Sequence, residues 1–361
     1  MPSQGGPVQG AHRPKESSRP IDFVKKVGRG RTLSQDLSPD EAREAFSLLL
    51  DGGFTPAQMG AFLQALRIKE LTGEELLALA EVFHGRTAPA APLPGEHGLV
   101  LNLASDTGRK GGMVSLLAAR LLPAFGIGVG IVRSTPVLSG NHRSFDAAIE
   151  LWPLLEAVLP LSGEAAPIGP ARDSAAPSIL IEDCSRLVRG LSALDGLRTE
   201  LGFRSCLHTA EKLVNPWPAT PMVLGISHRH YALRMAETMA ARGLKGRIVL
   251  GNHGTVDLVL HKQTEVFSVE ADSNGNGAGN RVGTGIREEA VAPGDLGLAP
   301  APDVYSLAKL PEWRAWLAGP KDNGLWQAVR LQLAFLLWAG GAASGPGAAL
   351  AAVRARFPTL S

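Results

Sequence analysis

Residues 105–112 combine glycines with two cations in a short polar loop, and this combination is suited to holding an anion. An apolar run of strand type precedes the loop, and an apolar helical pattern follows it. Glycines between a strand and a helix N-terminus leave backbone N–H groups free to point at a phosphate. The alternative is a tight turn with solvated basic side chains, because a glycine-rich loop alone is a weak signal. The anion loop consists of Ser105, Thr107, Gly108, Gly111 and Gly112, with the cations Arg109 and Lys110.

Further cations cluster near the N-terminus and near the loops that follow the predicted strands. Residues 1–33 carry seven Lys or Arg against two acids, a net charge of +5 in a chain whose total is +2. Such a basic arm is typical of contact with a phosphate backbone, although a solvated tail has the same composition. Aromatic residues make up only 5% of the chain, which favours backbone contact over base stacking. The candidate phosphate-binding cations, besides the two in the anion loop, are Lys25, Lys26, Arg29, Arg31, Arg133, Arg143, Lys212 and Arg229.

Length and composition indicate an ordinary globular protein. A chain of 361 residues with 45% hydrophobic residues is long enough for two domains, or for one large domain with a smaller one. The sequence has neither a long uncharged apolar stretch nor the apolar core of a signal peptide, so we expect a cytoplasmic protein without membrane contact. Cys184 and Cys206 are the only cysteines, and we expect both to be reduced and buried.

The elements that must position the anion loop fall into two predicted domains. Residues 1–20 are expected to form a disordered tail, and residues 21–88 a module of four helices, three of which begin after the caps Ser38, Thr55 and Thr72. Short apolar runs alternate with helical patterns over residues 98–361, which predicts an α/β domain with a mainly parallel central sheet. The glycine-rich segment 275–285 is interpreted as a flexible loop.

The topology predicts where a ligand would sit. The four predicted strands lead into loops that begin at Ser105, Arg133, Ser227 and Gly251. Ligands of parallel sheets bind at the carboxyl ends of the strands, so these four loops are expected to form one face.

Two longer segments resemble the anthranilate phosphoribosyltransferase family. They are TPAQMGAFLQALRIKELTGEEL (residues 55–76) and LRTELGFRSCLHTAEKLVNP (residues 197–216), and residues 325–353 fit the closing helices of that family. The resemblance covers about residues 21–356. It implies a fold of the nucleoside phosphorylase/phosphoribosyltransferase type, in which the helical domain, joined by helices near residues 175–205, makes a homodimer interface.

The segments that correspond to the family's catalytic motifs depart from them. ASDTGRKGG (residues 104–112) stands where the family has a GTGGD loop for the diphosphate of phosphoribosyl pyrophosphate, and IVRSTPVLSGNHRS (residues 131–144) stands for its KHGNR motif. Where the family has an Asp-Glu pair for magnesium, this chain has Asp257 followed by Leu258, which removes a charged oxygen ligand. Arg198 matches the arginine with which the family binds anthranilate, and it is the possible acceptor-site residue.

A chain that keeps the scaffold of the family but lacks its catalytic motifs resembles the TrpD-like, YbiB-type subfamily. The matching segments are VKKVGRG (residues 24–30), TGRK (residues 107–110), LGFRS with HTAEKL, and His253–Thr255. The resemblance implies a non-catalytic, sequence-non-specific nucleic-acid-binding homodimer, which contacts the DNA or RNA backbone with no catalytic residue, metal or cofactor. The alternative is a phosphoribosyltransferase, a pentosyl transferase that uses phosphoribosyl pyrophosphate with an altered acceptor. Magnesium is implied only under that alternative. Arg109 and Lys110 would then supply positive charge to the diphosphate in place of charge from the metal.

Overall fold

The N-terminal module consists of four helices, three of which begin after a hydroxyl cap. The computed structural model describes residues 19–30, 32–104, 113–134, 143–159, 178–270, 285–302 and 309–360, so the predicted tail (apart from its last two residues), the anion loop and nearly all of segment 275–285 lie outside the described residues. The module contains α1 (Pro20–Val27), α2 (Pro39–Leu50), α3 (Pro56–Lys69) and α4 (Gly73–Arg86).

The three predicted caps are confirmed. Ser38, Thr55 and Thr72 each accept a hydrogen bond from the backbone of the residue three positions on, whose side chain bonds back to the cap. Each capping box satisfies two backbone N–H groups that a helix start would otherwise leave unpaired.

The α/β domain is built on a seven-stranded sheet. Its strands are β1 (His97–Asn102), β2 (Ile127–Arg133), β3 (Ile179–Asp183), β4 (Met222–Gly225), β5 (Gly246–Val249), β6 (Thr264–Val269) and β7 (Ile286–Val291). The order is β3-β2-β1-β4-β5-β6-β7. The first five strands are parallel, whereas β6 and β7 are antiparallel additions at one edge. The predicted α/β fold with a mainly parallel sheet is therefore confirmed.

Helices cover both faces of the sheet. Their bounds are α5 (Met113–Leu121), α6 (Arg143–Glu150), α7 (Trp152–Val158), α8 (Cys184–Leu187), α9 (Asp195–Leu201), α10 (Cys206–Glu211), α11 (Arg229–Ala241), α12 (Leu310–Ala318), α13 (Gly324–Ala339) and α14 (Pro346–Arg356). Successive side chains of a strand point to opposite faces. Accordingly, Leu99 and Leu101 of β1 pack in the core with α5 and α13, whereas Val100 packs in the core shared with the helical module.

The helical module packs, through α9, α10 and α11, on the face of the sheet to which Val100 points. The Arg234 guanidinium donates to the Leu71 carbonyl at 3.0 Å, and that of Arg242 donates to the Ala80 carbonyl at 3.1 Å. Both carbonyls belong to the module, so these bonds fix it relative to the sheet. Cys184 and Cys206 are buried and unpaired, as predicted. Within the described residues, none of the helices combines the length and apolarity needed to cross a bilayer.

Candidate functional site

The carboxyl ends of four neighbouring parallel strands meet at one edge of the sheet. β2, β1, β4 and β5 are adjacent. β2 ends at Arg133 and is followed by Ser134, and the segments after β4 and β5 contain Ser227 and Gly251. This edge is where a sheet of this topology binds ligands. The fourth segment, beginning at Ser105, lies outside the described residues.

Asn102 ends β1 and ties this edge to α10. Its fully buried amide donates two hydrogen bonds of 2.9 Å, to the carbonyls of Glu211 and Val214, and its oxygen accepts one from the Ala104 backbone. All three bonds join the buried amide to backbone groups, so its own polar atoms are satisfied. Asn102 therefore fixes the position of α10 over the edge. Our sequence interpretation missed this residue, although a single amide in an apolar strand is a recognisable signal.

Arg198 and Glu211 form an ion pair inside the protein beside Asn102. The Arg198 Nη2 atom lies 2.7 Å from Glu211 Oε1, and the two side chains are 1% and 0% exposed. Glu211 Oε2 accepts a hydrogen bond of 2.6 Å from the Ser134 hydroxyl, at the end of β2. Asp195 lies 3.5 Å from the guanidinium. The charge of the predicted acceptor-site residue is thus compensated by a carboxylate of the chain itself.

Asp257 lies after β5 and bonds to the start of α5. Its Oδ1 accepts a hydrogen bond of 2.8 Å from the Ser115 backbone, which places a carboxylate at a helix N-terminus, where negative charge is favoured. Leu258 is 1% exposed and lies in the apolar core. The amide of Gln332 from α13 brackets this segment through the Leu258 N–H and the Val256 carbonyl. Leu258, an apolar core side chain, therefore stands at the position of the missing second carboxylate.

At this position the described residues offer a magnesium ion one carboxylate and not two. Magnesium is held by carboxylate oxygens, phosphates and water, and one oxygen of the carboxylate present, Asp257, accepts from the α5 backbone. No group of three or more potential His, Cys, Asp or Glu ligands occurs in the part of the chain that the structure describes.

Three of the predicted phosphate-binding cations face acids of the chain. Lys26 lies 2.6 Å from Glu41. Arg229 is ion-paired with both Glu265 and Glu288. Pairing of this kind reduces the charge that such a side chain offers to a phosphate. Arg133 stacks on the Phe145 ring and lies 3.8 Å from Asp183 and 3.9 Å from Asp146.

The remaining predicted cations lie on or beside several different helices or outside the described residues. Lys25 and Arg29 are exposed at the end of α1, and neither forms an ion pair within the described residues. Lys212 is buried just after α10, and Arg143 is the first residue of α6. Arg31, Arg109 and Lys110 lie outside the described residues. A common phosphate-binding surface of these cations stays a prediction.

A cleft between the helical module and the sheet edge contains cations that our sequence interpretation did not group. Its cavity has a volume of about 210 Å³ and is lined by α3, α10, the end of β4 and the start of α11. Arg67, Arg204, Lys212 and Arg234 line it, and Glu70 is its one acid within the described residues. Burial, reinforced by nearby arginines, lowers the pKa of His208 in this cleft to about 3, so its imidazole is neutral.

Comparisons with known proteins identify the scaffold. Residues 21–85 match the family model described as the helical bundle domain of a glycosyl transferase family. An anthranilate phosphoribosyltransferase from Halorhodospira halophila is 30% identical, covering 75% of this chain and 74% of the relative. One from Synechococcus is also 30% identical, covering 85% and 84%. The chain belongs to the anthranilate phosphoribosyltransferase family.

Solved structures support the same fold. The crystal structure of anthranilate phosphoribosyltransferase from Thermus thermophilus superposes with a TM-score of 0.66 at 24% identity, covering 94% of this chain and 95% of the other. The Saccharomyces cerevisiae enzyme in complex with PRPP and Mg gives a TM-score of 0.65 at 13% identity. The predicted TrpD-like scaffold is confirmed. The relatives favour the phosphoribosyltransferase alternative over nucleic-acid binding, which none of these comparisons addresses.

Proposed function

We propose that this chain is a phosphoribosyl-type glycosyltransferase whose acceptor is not anthranilate. The observation that carries the proposal is its family membership, since relatives named as phosphoribosyltransferases match along most of the chain. In such a transfer the bond from the ribosyl carbon to pyrophosphate breaks, a bond to the acceptor nucleophile forms, and the nucleophile releases its proton. The protein contributes mainly positioning and stabilisation of charge.

The Arg198–Glu211 pair supports an acceptor without a carboxylate at this position. An arginine that binds an acidic acceptor must offer its charge to the ligand. Here the carboxylate of Glu211 already lies 2.7 Å from Arg198. A second carboxylate at this place would be repelled by Glu211 and would have to be buried beside it, which is costly. The acceptor is therefore expected to present a neutral group.

Donor binding is proposed to depend little on a protein-bound metal. Leu258 supplies no ligand and Asp257 is bonded to α5, so the negative charge of the diphosphate requires other partners. Arg109 and Lys110 of the anion loop have the required charge, and two cations beside a diphosphate act in place of a divalent ion.

Calorimetry with phosphoribosyl pyrophosphate tests donor binding. The full chain is titrated with the donor in magnesium buffer and again in EDTA, and the double variant Arg109→Ala/Lys110→Ala is titrated in both. We expect binding in both buffers and a loss of at least tenfold in the variant, because charge-assisted hydrogen bonds to a phosphate are strong. The matched control is Lys245→Ala, which removes an exposed lysine just before the first residue of β5. This end of the strand is opposite to its carboxyl end. Absence of heat at millimolar donor would remove the proposal.

Nucleic-acid binding is the second candidate, and the exposed end of α1 favours it. Lys25 and Arg29 lie there without ion pairs within the described residues, next to a segment of high positive charge. Such cations would contact phosphates and would carry no sequence information. A homodimer would double the number of these contacts.

A salt series on mixed-sequence DNA tests this second candidate. Fluorescence anisotropy is expected to show affinity that falls steeply with salt concentration and that drops equally for all sequences in Lys25→Ala/Arg29→Ala. Lys245→Ala again serves as the control. DNA that remains unbound at low salt excludes this candidate and leaves the transferase proposal untouched.

The proposed assembly is a homodimer through the helical module. Three large apolar side chains are exposed within the described residues, and the two with the largest exposed fractions, Leu33 (68%) and Ile68 (61%), belong to the module. Exposed apolar side chains of this kind favour burial against a second copy. Sedimentation velocity should show a dimer that Ile68→Glu dissociates and that Leu233→Glu, at the third exposed position, leaves intact. Dissociation by both variants, or by neither, would contradict this interface.

A further inference from the structure

We propose that the outer side of α13, where this helix meets α14 and the turn before it, binds a small oxyanion of the phosphate class. The proposal rests on four side chains that donate hydrogen bonds and have no acceptor atom. We call them the donor cluster, and they are Lys321, Trp326, Arg330 and Arg354. The proposal does not depend on the transfer reaction, because the donor cluster lies away from the sheet edge.

The position of the donor cluster follows from the geometry of α13. Gln332 bonds to the Leu258 N–H and the Val256 carbonyl, so its side of α13 faces the segment that follows β5. Each residue turns an α-helix by about 100°, and residues two positions apart therefore point roughly 200° apart. Arg330 points away from the sheet edge, and the donor cluster is separate from the cleft beside the helical module.

Arg330 is a buried guanidinium without a counter-ion among the described residues. The residue is 7% exposed, and its Nη2 donates to the Lys321 carbonyl at 2.5 Å. Its buried Nε has no hydrogen-bond partner in the part of the chain that the structure describes. A buried charge without an opposite charge beside it is costly. An anion at this guanidinium would supply both the missing charge and a hydrogen-bond acceptor.

A second cation, Arg354 of α14, adds to the positive charge around Arg330. Burial and the charge of Arg354 lower the pKa of the Arg330 guanidinium, whereas Asp322 raises it. Asp322 is exposed, so water screens its charge. The Nη2 atom of Arg354 lies beside Gly297, in the turn that follows β7. Positive charge from two helices in one place favours an anion there.

Trp326 and Lys321 supply further donors next to Arg330. Trp326 precedes Arg330 by four residues, and residues at this spacing are neighbours on a helix surface. The indole is fully buried, and its Nε1 has no acceptor within the described residues. The Lys321 ammonium lies 4.3 Å from the centre of the Trp326 ring and uses one of its three donors on the Leu317 carbonyl. An oxyanion has several lone pairs and can accept from more than one of these groups.

Thermal unfolding of the full chain with and without inorganic phosphate tests the site. About 10 mM phosphate should raise the melting temperature by about 2 °C over chloride at the same ionic strength, as expected for a ligand at about ten times its dissociation constant. Arg330→Met removes the buried charge, keeps an unbranched side chain and should lose this rise. Phosphate also stabilises proteins by exclusion from their surfaces, so the difference between parent and variant is the quantity measured.

Two exposed arginines of the C-terminal helices provide the matched comparison. Arg354→Ala should reduce the rise to about half, because one of two arginine charges is lost, and it tests the site even if Arg330→Met does not fold. Arg314→Ala removes an exposed arginine of α12, near Glu150, and should keep the full rise. The proposal is overturned if phosphate acts no differently from chloride, if Arg330→Met keeps the full rise, or if the two alanine variants behave alike.

The anion loop is a different phosphate site under the proposed function, and its variants separate the two sites. In the Arg109→Ala/Lys110→Ala background the rise, and its loss on adding Arg330→Met, should persist. A rise that disappears with the loop variants would place the phosphate at the loop and overturn the proposal. Binding of phosphoribosyl pyrophosphate should persist in Arg330→Met alone. Failure of donor binding with retention of the phosphate effect would remove the proposed function and keep this site.

Discussion

Replacing Glu211 by glutamine should destabilise the protein by about 3 kcal/mol, because it leaves the Arg198 guanidinium buried without its partner. At 2.7 Å the gross attraction is about 6 kcal/mol at an effective dielectric constant of about 20. Desolvation of both groups cancels a large part of this, and breaking buried pairs typically costs about 3–5 kcal/mol. Asp195 at 3.5 Å still faces the arginine, so we expect the lower end of that range.

Equilibrium unfolding in urea measures this loss, with tryptophan fluorescence and far-ultraviolet circular dichroism as parallel probes. The double variant Arg198→Met/Glu211→Met removes both charges and should be more stable than the sum of the single losses predicts, with a coupling of about 2 kcal/mol or more. A Glu211→Gln variant within about 0.5 kcal/mol of the parent, a difference typical of surface substitutions, would refute the buried-pair argument.

Variants of Glu211, Asn102, Asp257 and His208 provide four further tests. In Glu211→Ala, added benzoate or anthranilate should raise the melting temperature, because a ligand carboxylate then replaces the one that was removed; no rise would mean that the site has collapsed. Asn102→Ala should cost about 3 kcal/mol in urea unfolding, since three buried hydrogen bonds to backbone groups are lost, and a loss below 1 kcal/mol would contradict this. Asp257→Asn should cost about 1 kcal/mol through the weakened charge at the start of α5. The lowered pKa of His208 means that the unfolded chain binds the proton more readily, so stability is complete above about pH 6.5 and should fall by about 2 kcal/mol from pH 8 to pH 5. In His208→Gln this part of the pH dependence should vanish.

The fold was predictable because its local signals are strong and agree with one another. The caps Ser38, Thr55 and Thr72 mark helix starts by a mechanism that acts within four residues, and the structure has all three. The strands β3, β6 and β7 were missed, and the reason in β7 is that its sequence IREEAV is largely exposed and polar. Its hydrophobic pattern is weak because one face of an edge strand carries charges.

The helical pattern over residues 144–158 corresponds to two helices, α6 and α7. Leu151 separates them, and Pro153 lies in the first turn of α7. A proline is tolerated in the first turn of a helix, but it would break a helix that continued through it.

The candidate site was harder to predict because its chemistry depends on pairs that are distant in sequence. Arg198 was identified by resemblance, yet its partner Glu211 and the Ser134 hydroxyl come from α10 and the end of β2. Charge compensation of Arg229 by Glu265 and Glu288 likewise depends on the antiparallel edge strands. A sequence pattern reports the type of a side chain, but only the fold determines whether its charge is available to a ligand.

The most direct test of the central claim is a calorimetric titration of the full chain with phosphoribosyl pyrophosphate, followed by a pyrophosphate-release assay with anthranilate in the same buffer. We predict that the donor binds and that anthranilate causes no release of pyrophosphate. The reason is that the Glu211 carboxylate already forms the ion pair with Arg198 that the anthranilate carboxylate would need. Release of pyrophosphate with anthranilate would contradict the argument from the buried pair. Absence of donor binding at millimolar concentration would contradict the proposed transferase function itself.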